Sequence, residues 1–279
     1  MAVKIVTDST SDIPDAITNA LGITVVPMLV FFGSASFKDR VDITTDEFYH
    51  RLAQGGTNPT TTQPNPKEFV DTYQKLLKQN DDILVIVLSS KLGGVFHSAS
   101  NAADIAGGSG RIEVIDSKLA SLSLGLVVIE AAKMAQNGMG LDEISAAVKS
   151  LLPISNAIMA FDTLKYLSGG GRIGKAQVML GSRLSVKPVL TLKDGEVSPL
   201  TRLRSMSAAT DYLYNQVASI KKIKSLGVCH ATTPDAADAL TQRLGMLYPK
   251  DNIYRSVISP VLGAYMGPNV LSVSFIEEQ

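Results

Sequence analysis

Tryptophan is absent from this chain of 279 residues, and cysteine occurs once, at Cys229. A single thiol excludes an intrachain disulfide and leaves a cysteine-based zinc site without ligands. Histidine is scarce as well. His50, His97 and His230 are the three imidazoles, and none stands in a His-x-x-x-His or His-x-Glu spacing, so no metal-hydrolase motif is present. For His50 and His230 a surface or packed imidazole is the simplest account. No excess of one charge exists either: Lys+Arg and Asp+Glu number 26 each, which leaves no basic stripe for nucleic acid. Long apolar runs are also missing. The longest, 122–135, is interrupted by Glu130 and Lys133, which argues against a transmembrane segment. Residues 1–8 carry too little apolar length for a signal peptide. These absences lead to the expectation of a soluble, cytoplasmic protein.

What is present is ample core. Hydrophobic residues make up 45% of the chain, enough for two real cores at a length above the usual single domain. The first half alternates strand and helix signals. Runs at 3–6, 83–88 and 112–115 are short, unbroken and rich in Ile and Val, as strands buried on both faces of a parallel sheet read. Helix starts are legible between them. Asp12-Ile13-Pro14-Asp15 opens one, Thr44 to Glu47 has capping-box spacing, and Asn65-Pro66-Lys67-Glu68 offers an N-cap, a first-turn proline and an acidic third position. The run 23–32 contains Pro27, which places it at an edge or a bulge. The tract 33–41 reads as an excursion from the sheet, and 121–137 and 141–152 as two further helices.

From about Pro153 the pattern changes. Strand signals at 188–192 and 196–200 flank Lys193-Asp194-Gly195, a hairpin turn. A long helix over 207–222, strands at 226–231, 252–259 and 270–276, and a helix at 234–247 follow. The expected fold is therefore α/β with two domains. The first, 1–157, is a three-layer α/β/α unit with a mainly parallel sheet. The second, 158–279, is a two-layer α+β unit with a mixed or antiparallel sheet.

Four hydroxyl- and glycine-rich clusters stand just after an apolar run or just before a helix: Thr7 to Ser11, Thr60 to Gln63, Ser89 to Gly94, and Asp116-Ser117. At the carboxyl ends of strands in an open α/β sheet, such groups suit a small anionic head group. Ser9 and Ser90 both lack the Gly-x-Ser-x-Gly elbow of a serine nucleophile, and His97 is placed to face the same pocket or solvent. Gly169-Gly170-Gly171-Arg172 permits close backbone approach beside a fixed guanidinium, which serves an anion, an interdomain contact or a helix-capping turn. Gly263 to Pro268 reads as a tight loop presenting the Tyr265 phenol.

Taken together, these segments resemble the DegV family over nearly the whole chain. The carriers are Ile5-Val6-Thr7-Asp8-Ser9-Thr10-Ser11-Asp12-Ile13-Pro14, Val26-Pro27-Met28, Phe37-Lys38-Asp39, Thr61-Thr62-Gln63-Pro64 and Ser89-Ser90-Lys91-Leu92-Gly93-Gly94-Val95-Phe96. Asp116-Ser117, Gly170-Gly171-Arg172-Ile173, Lys187-Pro188 and Gly267-Pro268 complete the series. The resemblance implies one long-chain fatty acid, such as palmitate or oleate, bound between two domains. It further implies a separate ATP-binding fatty acid kinase subunit that converts the presented carboxylate to acyl phosphate for phospholipid synthesis. By the same resemblance, Thr61 and Thr62 hold the carboxylate, with the Gly93 and Gly94 amides and the Tyr265 hydroxyl nearby and Ser9 in the neighbouring loop. Arg172 and Arg202 then shape the mouth or a partner surface, and His97 is a further candidate contact. No catalytic residue, metal or cofactor is expected. The alternative is an enzyme related to the dihydroxyacetone kinase architecture, or a Ser-dependent hydrolase. Two departures stand out: Gly93 occupies a position where the family usually has Ser, and Tyr265 one where many members have His.

Overall fold

The computed structural model describes residues 2–56, 58–78, 81–108, 110–180 and 186–278. From the N-terminus the chain forms β1 (Val3–Asp8), α1 (Asp15–Leu21), β2 (Thr24–Val26), β3 (Leu29–Phe32), β4 (Ala35–Lys38), α2 (Thr45–Gln54) and β5 (Thr60–Thr62). It continues with α3 (Pro66–Leu77), β6 (Asp82–Val87), α4 (Val95–Ala106), β7 (Ile112–Asp116), α5 (Ser121–Gln136), α6 (Leu141–Leu151), β8 (Ser155–Ala160) and α7 (Lys165–Gly169). The remainder is β9 (Lys187–Lys193), β10 (Glu196–Leu203), α8 (Met206–Ala218), β11 (Ile223–His230), α9 (Pro234–Leu244), β12 (Ile253–Val257), α10 (Pro260–Met266) and β13 (Leu271–Glu277).

The Ile- and Val-rich runs form a parallel sheet in the order β2-β1-β6-β7. Strand β6 is buried along its whole length, as its unbroken apolar sequence requires. The connection leaving β1 runs to β2 on one side and that leaving β6 runs to β7 on the other, so the gap between β1 and β6 is the topological switch point where open α/β sheets bind ligands. The second sheet is mixed, in the order β10-β9-β8-β13-β11-β12, with only β11 and β12 parallel. Its last-made strand, β13, lies in the interior of the sheet, between β8 and β11.

Helices α3 and α4 pack on one face of the parallel sheet, and α5 and α6 on the other. Helices α8 and α9 cover one face of the mixed sheet, while its other face receives α5. Thus α5 is a middle layer common to both sheets, touching β1 and β6 on one side and β8, β11 and β13 on the other. Every residue from Ser121 to Ala132 is buried. That explains a run with apolar residues around the whole circumference instead of a single stripe. No helix among the described residues is long and apolar enough to cross a membrane.

Several local expectations are corrected. The run 23–32 divides at Pro27 into β2, an edge strand of the parallel sheet, and β3, which belongs to a separate antiparallel sheet in the order β4-β3-β5. Proline supplies no amide for a continuous ladder, so the chain changes sheets there. The excursion 33–41 contains β4. Thr60 to Thr62, expected only as a lead-in to α3, is itself a strand paired with β3. The helix expected over 207–222 ends at Ala218. The segment 263–268 is mostly the last turn of α10, begun by Pro260 at its first position, and is no free loop.

Gly125 shows how tightly α5 is held: a Cβ there would overlap the Ser11 carbonyl oxygen. Gly125→Ala gains about 0.5–1 kcal/mol of helix propensity, but the overlap is with backbone that cannot move aside. The expected net result is destabilisation by about 1–3 kcal/mol, read as a lower midpoint in urea unfolding.

Candidate ligand-binding site

The carboxyl ends of β1 and β6 are joined by one side chain. Asp8 Oδ2 accepts from the Leu88 amide at 2.8 Å, while Oδ1 accepts from the Thr10 amide at 2.9 Å and the Thr10 hydroxyl at 2.6 Å. Complete burial pushes its pKa up, against the effect of these donors. The chain then makes a single 3-10 turn, Ser9–Ser11. Within it, Ser9 donates to Asp39 Oδ2 at 2.7 Å and accepts from the Met28 amide at 3.1 Å.

Asp12 follows in the left-handed region at φ 50° and is fully buried. Its carboxylate accepts from the Ser121 hydroxyl at 2.6 Å and the Ser259 amide at 3.0 Å, and its carbonyl accepts from the Ser256 hydroxyl. One residue therefore ties the β1 loop to the start of α5 and to the loop before α10. Burial raises the Asp12 pKa to about 6 and the Asp39 pKa to about 7; Arg40 opposes both shifts, and the neighbouring Asp12 and Asp8 add to that of Asp39. Asp39 Oδ1 has no partner among the described residues.

Above this polar floor lies a narrow slot that opens at a mouth. Met28, Leu92, Met159, Phe161, Leu192 and Leu262 are among the apolar side chains that line it. Elements from both sheets contribute. The mouth is polar and half-exposed: Thr61, Thr62, Gln63, Gly93, Gly94, Tyr265 and Arg172 all line it.

Tyr265 is held on three sides. Its hydroxyl lies 2.7 Å from Thr61 Oγ1. The Arg172 guanidinium stands over its ring at 5.0 Å, a cation–π arrangement. Its ring also packs so close to Gly170 that a Cβ there would overlap it. The glycine run before Arg172 thus provides room for a phenol. Arg172 also donates from Nε to the Leu92 carbonyl at 3.2 Å and from Nη1 to the Gly170 carbonyl at 2.9 Å, so it pins the segment after α7 to the loop before α4.

That loop, Ser89 to Gly94, is gripped from two sides. Ser89 donates to the Gly195 carbonyl at 2.8 Å, from the β9–β10 turn. Ser90 gives its amide to Asp116 Oδ1 at 3.0 Å and accepts from Lys118 Nζ at 3.0 Å. Burial works to raise the Asp116 pKa, but Lys118 and the Ser90 donors outweigh it and hold it below the usual carboxylate range. Helix α4 then begins at Gly94 with no side-chain cap, leaving its first amides near the mouth.

Of the residues singled out from sequence, Thr61, Thr62, Gly93, Gly94, Tyr265 and Arg172 line one cavity. Three do not. Ser9 is buried and its hydroxyl is committed to Asp39, with Thr10 facing the slot in its place. His97 is exposed, its ring edge-on to Phe96 at 5.6 Å. Arg202 is exposed and donates to the Val178 carbonyl at 2.7 Å, holding the 3-10 segment Gly174–Met179 against β10. The sequence reading did not single out Ser121, which also lines the slot; its place as the first residue of α5 gave no sign of facing a cavity.

Residues 2–278 match the family described as "Uncharacterised protein, DegV family", and the chain belongs to that family. A DegV domain-containing protein of Caldanaerobacter subterraneus subsp. tengcongensis is 36% identical over 280 residues, covering 99% of each chain. Among solved structures, a fatty-acid-binding DegV family protein from Thermus thermophilus aligns over 100% of both chains with TM-score 0.91 and 32% identity. DegV of Bacillus subtilis, described as a fatty acid binding protein, also aligns over 100% of both chains, with TM-score 0.91 and 28% identity.

The raised pKa of Asp39 has a stability consequence with a definite sign. The folded protein keeps a proton that the unfolded carboxyl, at 3.8, releases, so this contribution is full below about pH 4 and is lost as pH rises through about 7. Asp8 and Asp12, also raised by burial, contribute in the same sense, and His230, whose pKa burial lowers, in the opposite one, so the comparison of variant with parent reads the share that depends on Asp39. Asp39→Asn is expected to reduce the loss of thermal stability between pH 5 and pH 8 relative to the parent. Parallel pH profiles of Tm in the two proteins would contradict the assignment.

Proposed function

We propose that the chain binds one long-chain fatty acid, such as palmitate or oleate, in the slot between its 1–157 and 158–279 portions. It then presents the carboxylate to a separate ATP-binding kinase subunit. The observation that carries this reading is one cavity, apolar inside, whose mouth brings Thr61, Tyr265 and Arg172 together. The fatty-acid-binding relatives from Thermus thermophilus and Bacillus subtilis support it.

The energetics agree with this division of labour. About fifteen buried methylenes contribute on the order of 12 kcal/mol gross, at about 0.8 each. Lost freedom on binding removes much of that. The tail therefore supplies affinity, and the mouth has only to orient the head group. Thr62 and whichever of Thr61 and Tyr265 keeps its proton outside their shared hydrogen bond donate neutral hydrogen bonds to the carboxylate, the start of α4 offers amides, and Arg172 supplies positive charge. A carboxylate held at the mouth keeps one oxygen available to attack the γ-phosphorus of ATP on the kinase subunit, with ADP leaving and acyl phosphate forming. Dependence on a soluble ATP-using partner places the pair in the cytoplasm and its product at the start of phospholipid synthesis.

Denaturing mass spectrometry of protein purified from cells should release a fatty acid in near-stoichiometric amount. An empty protein that also fails to bind added palmitate or oleate would overturn the reading. Gly93 offers a second check. A Cβ there would meet Leu88 Cδ2 at 3.4 Å, an ordinary contact, so Gly93→Ser fits and restores the hydroxyl usual in the family. It is expected to tighten fatty acid binding by up to about tenfold, the value of one added hydrogen bond, in a fluorescent-lipid displacement assay.

A further inference from the structure

Three residues of the mouth, Thr61, Arg172 and Tyr265, line a second pocket as well as the slot. The hydroxyls of Thr61 and Tyr265 lie 2.7 Å apart, so this bonded pair stands where the two cavities meet. The second pocket is walled by α7 and the turn after it, by the approach to β5, and by α10. No Asp or Glu is among its lining residues, while Lys165 and Arg172 both are.

The two cations are located by contacts within that wall. The Arg172 guanidinium donates to the Gly170 carbonyl at 2.9 Å and stands 5.0 Å from the centre of the Tyr265 ring. Lys165 is exposed, and its Nζ lies 5.8 Å from the centre of the Tyr166 ring. Gly170, Tyr265 and Tyr166 all border the pocket. Neither charge is neutralised, because carbonyls and rings are uncharged and no carboxylate pairs with Lys165 or Arg172 among the described residues. Asp162, close by in sequence, is taken by Lys187 Nζ at 2.5 Å. Arg172 also borders a third pocket, beside Ser90 and Lys91, but that one includes Glu196. A carboxylate there opposes a second anion.

Phosphorylation of a bound fatty acid changes its head group in both charge and size. The carboxylate carries one negative charge, whereas a phosphoryl group carries about two, with three strong acceptor oxygens. The acyl tail occupies the slot, so the added group has to extend past the Thr61–Tyr265 pair. We propose that the second pocket receives the phosphoryl group of a long-chain acyl phosphate, with Arg172 and Lys165 supplying the opposing charge. The inference rests on the fatty-acid reading and gives its product a seat on this chain. Arg172 is fixed there by its two carbonyls. Lys165, a point charge on a flexible stem, is free to follow the group.

The test uses hexadecyl phosphate, a stable stand-in for an acyl phosphate, and palmitate, each displacing a fluorescent fatty acid at low salt. The parent protein is expected to bind hexadecyl phosphate at least as tightly as palmitate. Lys165→Gln is expected to weaken the phosphate about three- to fivefold, and Lys165→Glu about tenfold. Lys165→Arg, which keeps the charge, is expected to change it less than about twofold. Palmitate affinity is expected to stay within about twofold of the parent in all three variants. High salt should shrink the loss specific to the phosphate, since exposed charges are screened. Hexadecyl phosphate binding about tenfold more weakly than palmitate to the parent would overturn the inference without recourse to any variant. A Lys165→Glu protein that loses neither ligand, or both equally, would also overturn it. Lys91→Gln examines the pocket beside Glu196: a loss there with none at Lys165 would put the phosphoryl group in that pocket instead. If palmitate itself fails to bind the parent, it is the fatty-acid reading that fails.

Discussion

The structure depends on the burial of α5 between two sheets. A helix with one apolar stripe has one partner, but this one has to satisfy two, and its sequence is apolar on all sides accordingly. Close approach is obtained by removing side chains. Gly125 lets the helix meet the Ser11 carbonyl, and Gly227 on β11 makes room for Leu122. The polar start of the same helix is fixed by Asp12, which reaches Ser121 and Ser259 at once. Packing and a buried carboxylate thus act on the same few residues, and Ser121 among them lines the slot.

The mouth is built on a different principle. Tyr265 is oriented by ring contacts and one hydroxyl pair, and Arg172 is anchored by two carbonyls that leave its charge beside the ring. The loop before α4 is steadied by Ser89, Ser90 and Lys118. A head group entering here meets donors already positioned, so little ordering remains to be done on binding.

Much of this was legible in the sequence, and the reasons differ by element. Parallel strands announced themselves because full burial demands unbroken Ile and Val, and α3 because Asn65, Pro66 and Glu68 make a local cap that the structure contains. The β9–β10 hairpin followed from Asp194-Gly195, both at positive φ. What escaped was non-local. Thr60 to Thr62 has no apolar pattern and is a strand only because β3 lies beside it. Helix α10 is seven residues long with Gly263 inside it, too short to stand on propensity; Gly263 is there because Phe48 and Tyr49 press against it. The choice between Ser9 and Thr10 turned on one 3-10 turn, which swings the first toward Asp39 and leaves the second at the slot.

Strand β13 carries a consequence for how the protein is made. It is the last strand of its sheet to be synthesised, yet it supplies the interior position between β8 and β11. Until it has emerged, β8 and β11 have no strand to join them and α5 lacks one of the three strands that cover that side. The nascent chain therefore carries this apolar helix incompletely covered while residues 137–277 are made, a period in which a chaperone has a surface to hold.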